Sequence, residues 1–334
     1  MSASAVPSVG AALAVRDLGV AFRRGRSVVP AVEQVSFDLA PGETLGLVGE
    51  SGSGKTTIGR AILRLLPGHD TSVTGSVRYG GVELTDLAPS ALRGLRRQLQ
   101  MIFQDPVSSF NPRRAVQDIV GEGLEIQGVP RAERAARIER ALADVGLSLA
   151  QVTGRRPHQF SGGQCQRIAI ARALAVEPQL IVCDEPVASL DVSVQAHVIN
   201  LLREIRRARR LALIFISHDL AVVRNVSDRV AVLYLGRIVE IGAADALYRH
   251  PAHPYTRLLL DAVPSPVPSA APALPGAEAA AEAAAPAPSR LRPPSGCRFR
   301  LRCPRAQPLC AEVEPPLTAQ PMGQWAACHV PLRD

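Results

Sequence analysis

The chain has 334 residues, 47% apolar and 20% charged, which is enough to bury the core of one large domain with an appendage, or of two domains. No apolar run approaches the ~20 residues a bilayer-crossing helix needs. The opening "MSASAVPSVGAALAV" has no positively charged region before its weakly apolar stretch, so a secretory leader is not expected and the cytosol is the expected compartment. Net charge is +8, and seven arginines against three acids from Arg290 onward carry about half of that excess. Such a tail suits nucleic acid, anionic lipid or an acidic protein face, or simply remains solvated.

In chain order, residues from about Leu13 to Ala262 read as alternating strands and helices. "ETLGLVG" is a short apolar strand running into a glycine loop, and "KTTIGRAILRLL" after it is helical. The section from about 87 to 176 is arginine-rich and mostly helical, as in "RAERAARIERALADVGL", and is expected to be an inserted subdomain. "QLIVCDEP" and "LALIFISHD" are again apolar runs of strand length ending in polar residues. Near-continuous apolar strands separated by helices indicate an α/β fold with a parallel sheet covered on both faces. Residues 263–296 are low-complexity Ala/Pro sequence with too few large apolar groups to pack, and are expected to be a linker. A small Cys-rich module follows over 297–334.

The chemistry-bearing residues lie at the ends of those strands. "GESGSGKT" fits G-x-x-x-x-G-K-[ST] at every fixed position, between a strand and a helix as the pattern requires. Gly49, Glu50, Ser51, Gly52, Ser53 and Gly54 form the loop whose N–H groups curl around phosphate oxygens; Lys55 reaches the β- and γ-phosphates, and Thr56, with Thr57 beside it, offers a hydroxyl to Mg²⁺. Lys55 is the sole lysine against 37 arginines, because a guanidinium is too wide for such a cradle. Asp184 and Glu185 end the second strand, where open parallel sheets bind ligands; the first suits Mg²⁺ and the second suits a base for an attacking water. His218 ends the third strand, where a neutral imidazole can sense a γ-phosphate. "FSGGQCQRIAIARAL" adds a second glycine-rich helix start, a second phosphate-binding element far away in sequence.

Two phosphate-binding elements in one chain resemble the nucleotide-binding subunits of ABC transporters, over residues from about 13 to 262. The resemblance implies a P-loop NTPase with a RecA-like parallel core, an ABC β-subdomain and an inserted helical subdomain, together forming a nucleotide-binding domain over 1–262. It also implies that two ATPs are sandwiched in a head-to-tail dimer, the signature Ser161, Gly162, Gly163 and Gln164 of one subunit closing over ATP on the other. On this resemblance Gln104 contacts Mg²⁺ and the attacking water, Asp184 is the metal-side acid, Glu185 the catalytic base, Asp191 couples the two sites and His218 is the switch histidine. Phe22 is a candidate to stack on adenine or an ordinary strand-edge core residue. Two departures stand out: Phe160 precedes the signature serine where leucine is usual, and "ASLD" replaces "SALD". Neither removes a reacting group, so an active ATPase is expected.

"IFQDPVSSFNPRR", "FISHDLAVVRNVSDRVAVLYLGRIVE" and "YRHPAHPYTRLLLDAVPSP" resemble the dipeptide/oligopeptide importer branch, and "SSFNPRR" its F subunit. That implies a related second ATPase chain, two membrane permeases and an extracellular binding protein, with this subunit at the cytoplasmic face of the membrane. Nickel or glutathione import are alternatives within the class, and a soluble ABC ATPase acting on nucleic acid is a rival outside it. His250 and His253 in "HPAHPYT" have a possible ligand spacing but read as a structural turn.

Six cysteines in a cytosolic chain do not suggest disulfides. Cys165 and Cys183 read as small core residues. Cys297, Cys303, Cys310 and Cys328 could serve Zn²⁺ or an iron–sulfur cluster on residue type alone. The resemblance to the cysteine-bearing extension of peptide-importer ATPases favours a [4Fe–4S] cluster.

Overall fold

The computed structural model of the chain describes residues 12–25, 27–263 and 293–332. The Ala/Pro linker, apart from its ends, and Arg290, Arg292 and Arg333 lie outside the described residues.

The elements in chain order are β1 (Leu13–Arg24), β2 (Ser27–Leu39), β3 (Thr44–Val48), α1 (Lys55–Ile62), β4 (Thr71–Tyr79), β5 (Val82–Glu83), α2 (Pro89–Leu95), β6 (Leu99–Ile102) and α3 (Val116–Ile126). Then come α4 (Arg131–Asp144), α5 (Leu149–Val152), α6 (Gly162–Ala175), β7 (Leu180–Asp184), α7 (Val192–Arg209), β8 (Ala212–Ile216) and α8 (Leu220–Val226). The chain continues through β9 (Arg229–Tyr234), β10 (Arg237–Ala243), α9 (Ala244–Arg249) and α10 (Pro254–Asp261), and finally α11 (Pro308–Glu312), β11 (Thr318–Ala319) and β12 (Trp325–Ala326).

The main sheet has the order β11-β12-β10-β9-β3-β8-β7-β6. Strands β9, β3, β8, β7 and β6 run parallel, while β10, β12 and β11 continue the sheet antiparallel. The expected strands at 44–48, 180–184 and 212–216 are five residues each and buried throughout. Successive side chains point to opposite faces, so Leu45, Leu47, Leu180, Val182, Ile214 and Ile216 join one core while Ile181, Cys183, Leu213 and Phe215 join the other. Burial of each such side chain contributes about 1.5–3 kcal/mol. The first core is shared with α1 and with an antiparallel sheet of order β2-β1-β4-β5, through Leu13, Val15, Leu18, Phe37 and Leu39. The second takes in α3, α4 and α6 through Ile119, Val120, Leu142, Ile168 and Ile170.

The helical insertion is shorter than the sequence suggested. Within 87–176, Leu99–Ile102 is strand β6, paired in parallel with β7 at the edge of the main sheet. The α6 end of the range packs against β6 as well as α3 and α4. Four residues next to arginines, three of them apolar around Gln100, carry too little periodicity to separate strand from helix.

The Cys-rich module is seated on the main body. β12 pairs with β10 through Glu240↔Ala326 and Ile241↔Trp325. Phe299, 1% exposed, meets the rings of Tyr234 and Tyr255 at 5.3 Å each and that of His253 at 5.7 Å. Two of its arginines, Arg298 and Arg302, turn inward, while Arg305 stays exposed. Arg298 pairs with Glu33 at 2.7 Å and Arg302 with Glu50 at 2.8 Å, because their partners sit on the facing body. His253 and His250 belong to the turn before α10: His253 is buried, and its Nδ1 accepts the Tyr255 N–H at 3.0 Å as the helix N-cap.

Candidate active site

β3 ends in the loop Gly49–Gly54, and α1 begins at Lys55. Two glycines make the loop possible. Gly49 (φ +144°) passes so close to the Leu233 carbonyl that any Cβ would overlap it, and at Gly54 (φ +111°) a Cβ would stand 2.8 Å from the Ala31 carbonyl oxygen. Lys55, 5% exposed, donates to the Gly49 carbonyl at 2.7 Å and the Glu50 carbonyl at 3.0 Å, so its ammonium is held at the centre of the loop.

Thr56 and Asp184 meet beside it. The Thr56 hydroxyl donates to Asp184 Oδ1 at 2.7 Å. Burial raises the Asp184 carboxyl pKa, opposed by the Thr56 hydrogen bond and the Arg60 charge. A hydroxyl and a carboxylate in contact are the hard oxygen donors that Mg²⁺ takes alongside phosphate. These residues fit the metal.

The opposite wall comes from three strand ends. Gln104, beyond β6, donates its amide to Glu185 Oε2 at 3.1 Å. His218, beyond β8, places Nδ1 3.4 Å from Glu185 Oε1. Glu185 itself sits at φ +46°, a region costly for a side-chain-bearing residue, with its N–H bonded to the Ile216 carbonyl at 3.0 Å. The loop residues Ser51–Thr57 and Gln104, Glu185 and His218 together line one cavity of about 500 Å³. Phe22 is not among them; it lies in β1, half-buried against the core shared by the two sheets.

The signature stands elsewhere. Ser161 caps α6, accepting the Gln164 N–H at 3.3 Å, while Gln164 Oε1 accepts the Ser161 N–H at 3.0 Å. Ser161, Gly162 and Gln164 are exposed and none lines the phosphate-loop cavity. Asp191 is likewise an exposed N-cap, of α7, its pKa lowered by the Val194 N–H and the Ser193 hydroxyl. One chain therefore presents a phosphate-loop cradle and, apart from it, an outward-facing glycine-rich helix start.

The four module cysteines are brought together. Burial raises the Cys297 and Cys328 thiols to about 11, and their mutual proximity with Cys303 and Cys310 adds to the shift. Cys303 is raised by burial and by Cys310. All six cysteines are unpaired. Among the described residues, no group of three or more His, Cys, Asp or Glu is placed to hold a metal ion.

Two residues tied to the phosphate loop escaped the sequence reading. The Tyr255 hydroxyl accepts the Glu50 N–H at 3.0 Å, and Arg302 grips the Glu50 carboxylate with both η-nitrogens. The only signal was an arginine between two cysteines in "CRFRLRC".

Comparison with known proteins agrees with this geometry. The ABC transporter family matches residues 32–188, and the oligopeptide/dipeptide transporter C-terminal region matches residues 239–310. The oligopeptide transport ATP-binding protein OppF of Escherichia coli is 50% identical over 298 residues, 89% of this chain and 86% of its own. A Brucella ovis protein provisionally named a peptide import ATP-binding protein is 48% identical over 317 residues, 95% and 96% of the two chains. The dimeric post-hydrolysis structure of the ATP-binding cassette MJ0796, bound to ADP and phosphate, superposes with TM-score 0.62 at 26% identity, over 70% of this chain and 98% of that one. The chain belongs to the ATP-hydrolysing subunits of ABC transporters, in the branch that carries the oligopeptide/dipeptide transporter C-terminal region.

Proposed function

We propose that this chain powers the uptake of di- and oligopeptides, paired with a related second ATPase chain beneath two permeases fed by an extracellular binding protein. It works at the cytoplasmic face of the membrane; no described helix is long and apolar enough to cross one. The observation that carries the reading is the division of the site. Phosphate loop, Glu185, Gln104 and His218 line one cavity, while the Ser161–Gln164 helix start faces outward. A second subunit must supply the missing wall, so nucleotide binding and subunit closure are one event.

Within that closed site the chain's own groups divide the work. Lys55 and the loop N–H groups hold the phosphates. Glu185 takes the water proton, with Gln104 orienting the carboxylate and His218 flanking its other oxygen. Thr56 and Asp184 would hold Mg²⁺, which supplies charge neutralisation at the phosphoryl group. Cys297, Cys303, Cys310 and Cys328 offer four converging thiols. Among the described residues no group of three or more His, Cys, Asp or Glu is placed to hold a metal ion. The resemblance to the cysteine-bearing extensions of peptide-importer ATPases favours a four-iron cluster here, with Zn²⁺ the alternative that four thiolates also suit.

Uptake of a labelled dipeptide by source cells tests the reading, with the gene disrupted and then restored as wild type or as Lys55→Ala. Recovery by wild type alone supports peptide import. Unchanged uptake, with the purified chain still hydrolysing ATP, would move the cargo to nickel, glutathione or another small solute.

A further inference from the structure

Glu50 places a carboxylate within the phosphate loop. It is an acid at the second position of an anion-binding turn, and its own carbonyl receives the Lys55 ammonium at 3.0 Å. An uncompensated carboxylate there repels the triphosphate that the loop must hold. Its compensation comes from 252 positions away in sequence. Arg302 Nη1 donates to Glu50 Oε2 at 3.0 Å and Nη2 to Oε1 at 2.8 Å, a two-pronged bond that fixes direction as well as charge. The guanidinium is 6% exposed and lies over the rings of Tyr234 and Phe299, with its carbon 5.8 Å from each centroid. Phe299 belongs to the module, and Tyr234 ends β9 in the main sheet. Arg302 also sits directly before Cys303 and five residues after Cys297, whose N–H bonds the Cys310 carbonyl at 2.8 Å. The segment that carries the fork is therefore shaped by the cysteine set.

We propose that Arg302 is a positioning residue of the nucleotide site: it neutralises and aims Glu50, so that the phosphate loop reaches full ATP affinity only when the cysteine-bearing module is seated. This rests on the reading of the loop as an ATP cradle. By linkage the coupling runs both ways, so bound ATP also tightens the module around its thiols.

The test uses the full-length chain and two readouts. ATP binding is titrated by calorimetry in wild type, Arg302→Met, Arg302→Lys and the double variant Glu50→Gln/Arg302→Met. Alkylation rates of Cys297, Cys303, Cys310 and Cys328 are followed by mass spectrometry with and without saturating ATP. Arg302→Met should weaken ATP binding about tenfold, near 1.4 kcal/mol. Arg302→Lys should fall between it and wild type, and adding Glu50→Gln to Arg302→Met should recover most of the loss. Rescue by removing the acid would trace the loss to the uncompensated Glu50 carboxylate rather than to the lost packing of the guanidinium, and the thiol-protection readout separates coupling to ATP from a purely structural ion pair. ATP should slow alkylation in wild type and leave Arg302→Met unaffected. If Arg302→Met fails to fold, Arg302→Lys and the double variant carry the comparison. Wild-type affinity in both arginine variants, no rescue by Glu50→Gln, or equal ATP protection of the thiols in wild type and variant would each overturn the proposal. Failure of the wild-type chain to bind ATP would instead overturn the reading of the loop.

Discussion

The Gln104 amide and the His218 ring hold opposite oxygens of one carboxylate, Glu185, at 3.1 and 3.4 Å. They arrive from the ends of β6 and β8, either side of β7, so the carboxylate is clamped across three adjacent parallel strands. A carboxylate fixed in this way is directed into the cavity before any water is bound.

Glu185→Gln keeps the shape and both neighbours but cannot take a proton. ATP turnover should fall by about 10²–10⁴, the usual worth of a general base. ATP binding should persist, and with ATP the variant should elute as a stable dimer. Turnover near that of wild type would remove Glu185 from the role.

Lys55→Arg preserves charge and should still fail. The ammonium is buried and packed against the Gly49 and Glu50 carbonyls, where a planar fork cannot enter without opening the loop. A rise in the ATP dissociation constant of at least about tenfold, measured by calorimetry, is expected. Wild-type affinity would show that the cradle is wider than its hydrogen bonds indicate.

Gly49→Ala places a methyl group on the Leu233 carbonyl of β9, at a backbone angle that alanine resists. The expected cost is about 2–4 kcal/mol of unfolding free energy together with loss of nucleotide binding. Gly52→Ala, where a Cβ meets nothing within 4 Å, tests strain alone because φ there is +79°. Urea denaturation of the two variants separates overlap from strain, and equal losses would contradict the crowding at Gly49.

His253 makes stability fall with acid. Burial depresses its pKa from 6.5 to about 3, against a hydrogen bond with the Ala327 backbone. Between those values the unfolded chain binds a proton that the folded chain refuses. The stabilising difference is thus full above about pH 6.5 and is lost as pH falls toward 3. From this residue the slope approaches about 1.4 kcal/mol per pH unit near pH 5. His253→Asn retains an acceptor for the α10 N-cap and should flatten the slope in urea titrations between pH 6.5 and 4.5. An unchanged slope would place the titration elsewhere.

Much of the core was legible because its strands are short, apolar and buried on both faces, as in Leu45–Leu47 and Ile181–Cys183. The phosphate loop was legible because its glycines and Lys55 are irreplaceable at fixed spacing. β6 was not, since Leu99–Ile102 adjoins arginines and its strand character comes from pairing with β7. The Arg302–Glu50 bond was invisible for a different reason. Ion pairing across 252 positions depends on where the module docks, and nothing local to either residue encodes that. The inward turn of Arg298 onto Glu33 has the same origin.

The two-residue strand β12 also has a protective role. It covers β10, which would otherwise end the main sheet with open N–H and C=O groups beside Ile238, Val239 and Ile241. Exposed apolar sheet margins recruit other chains into intermolecular pairing. Cleavage in the Ala/Pro segment that released the module would uncover that margin, and a truncated chain ending before residue 264 should aggregate on storage even with its phosphate loop intact. The module is thus a guard of solubility as much as a holder of thiols.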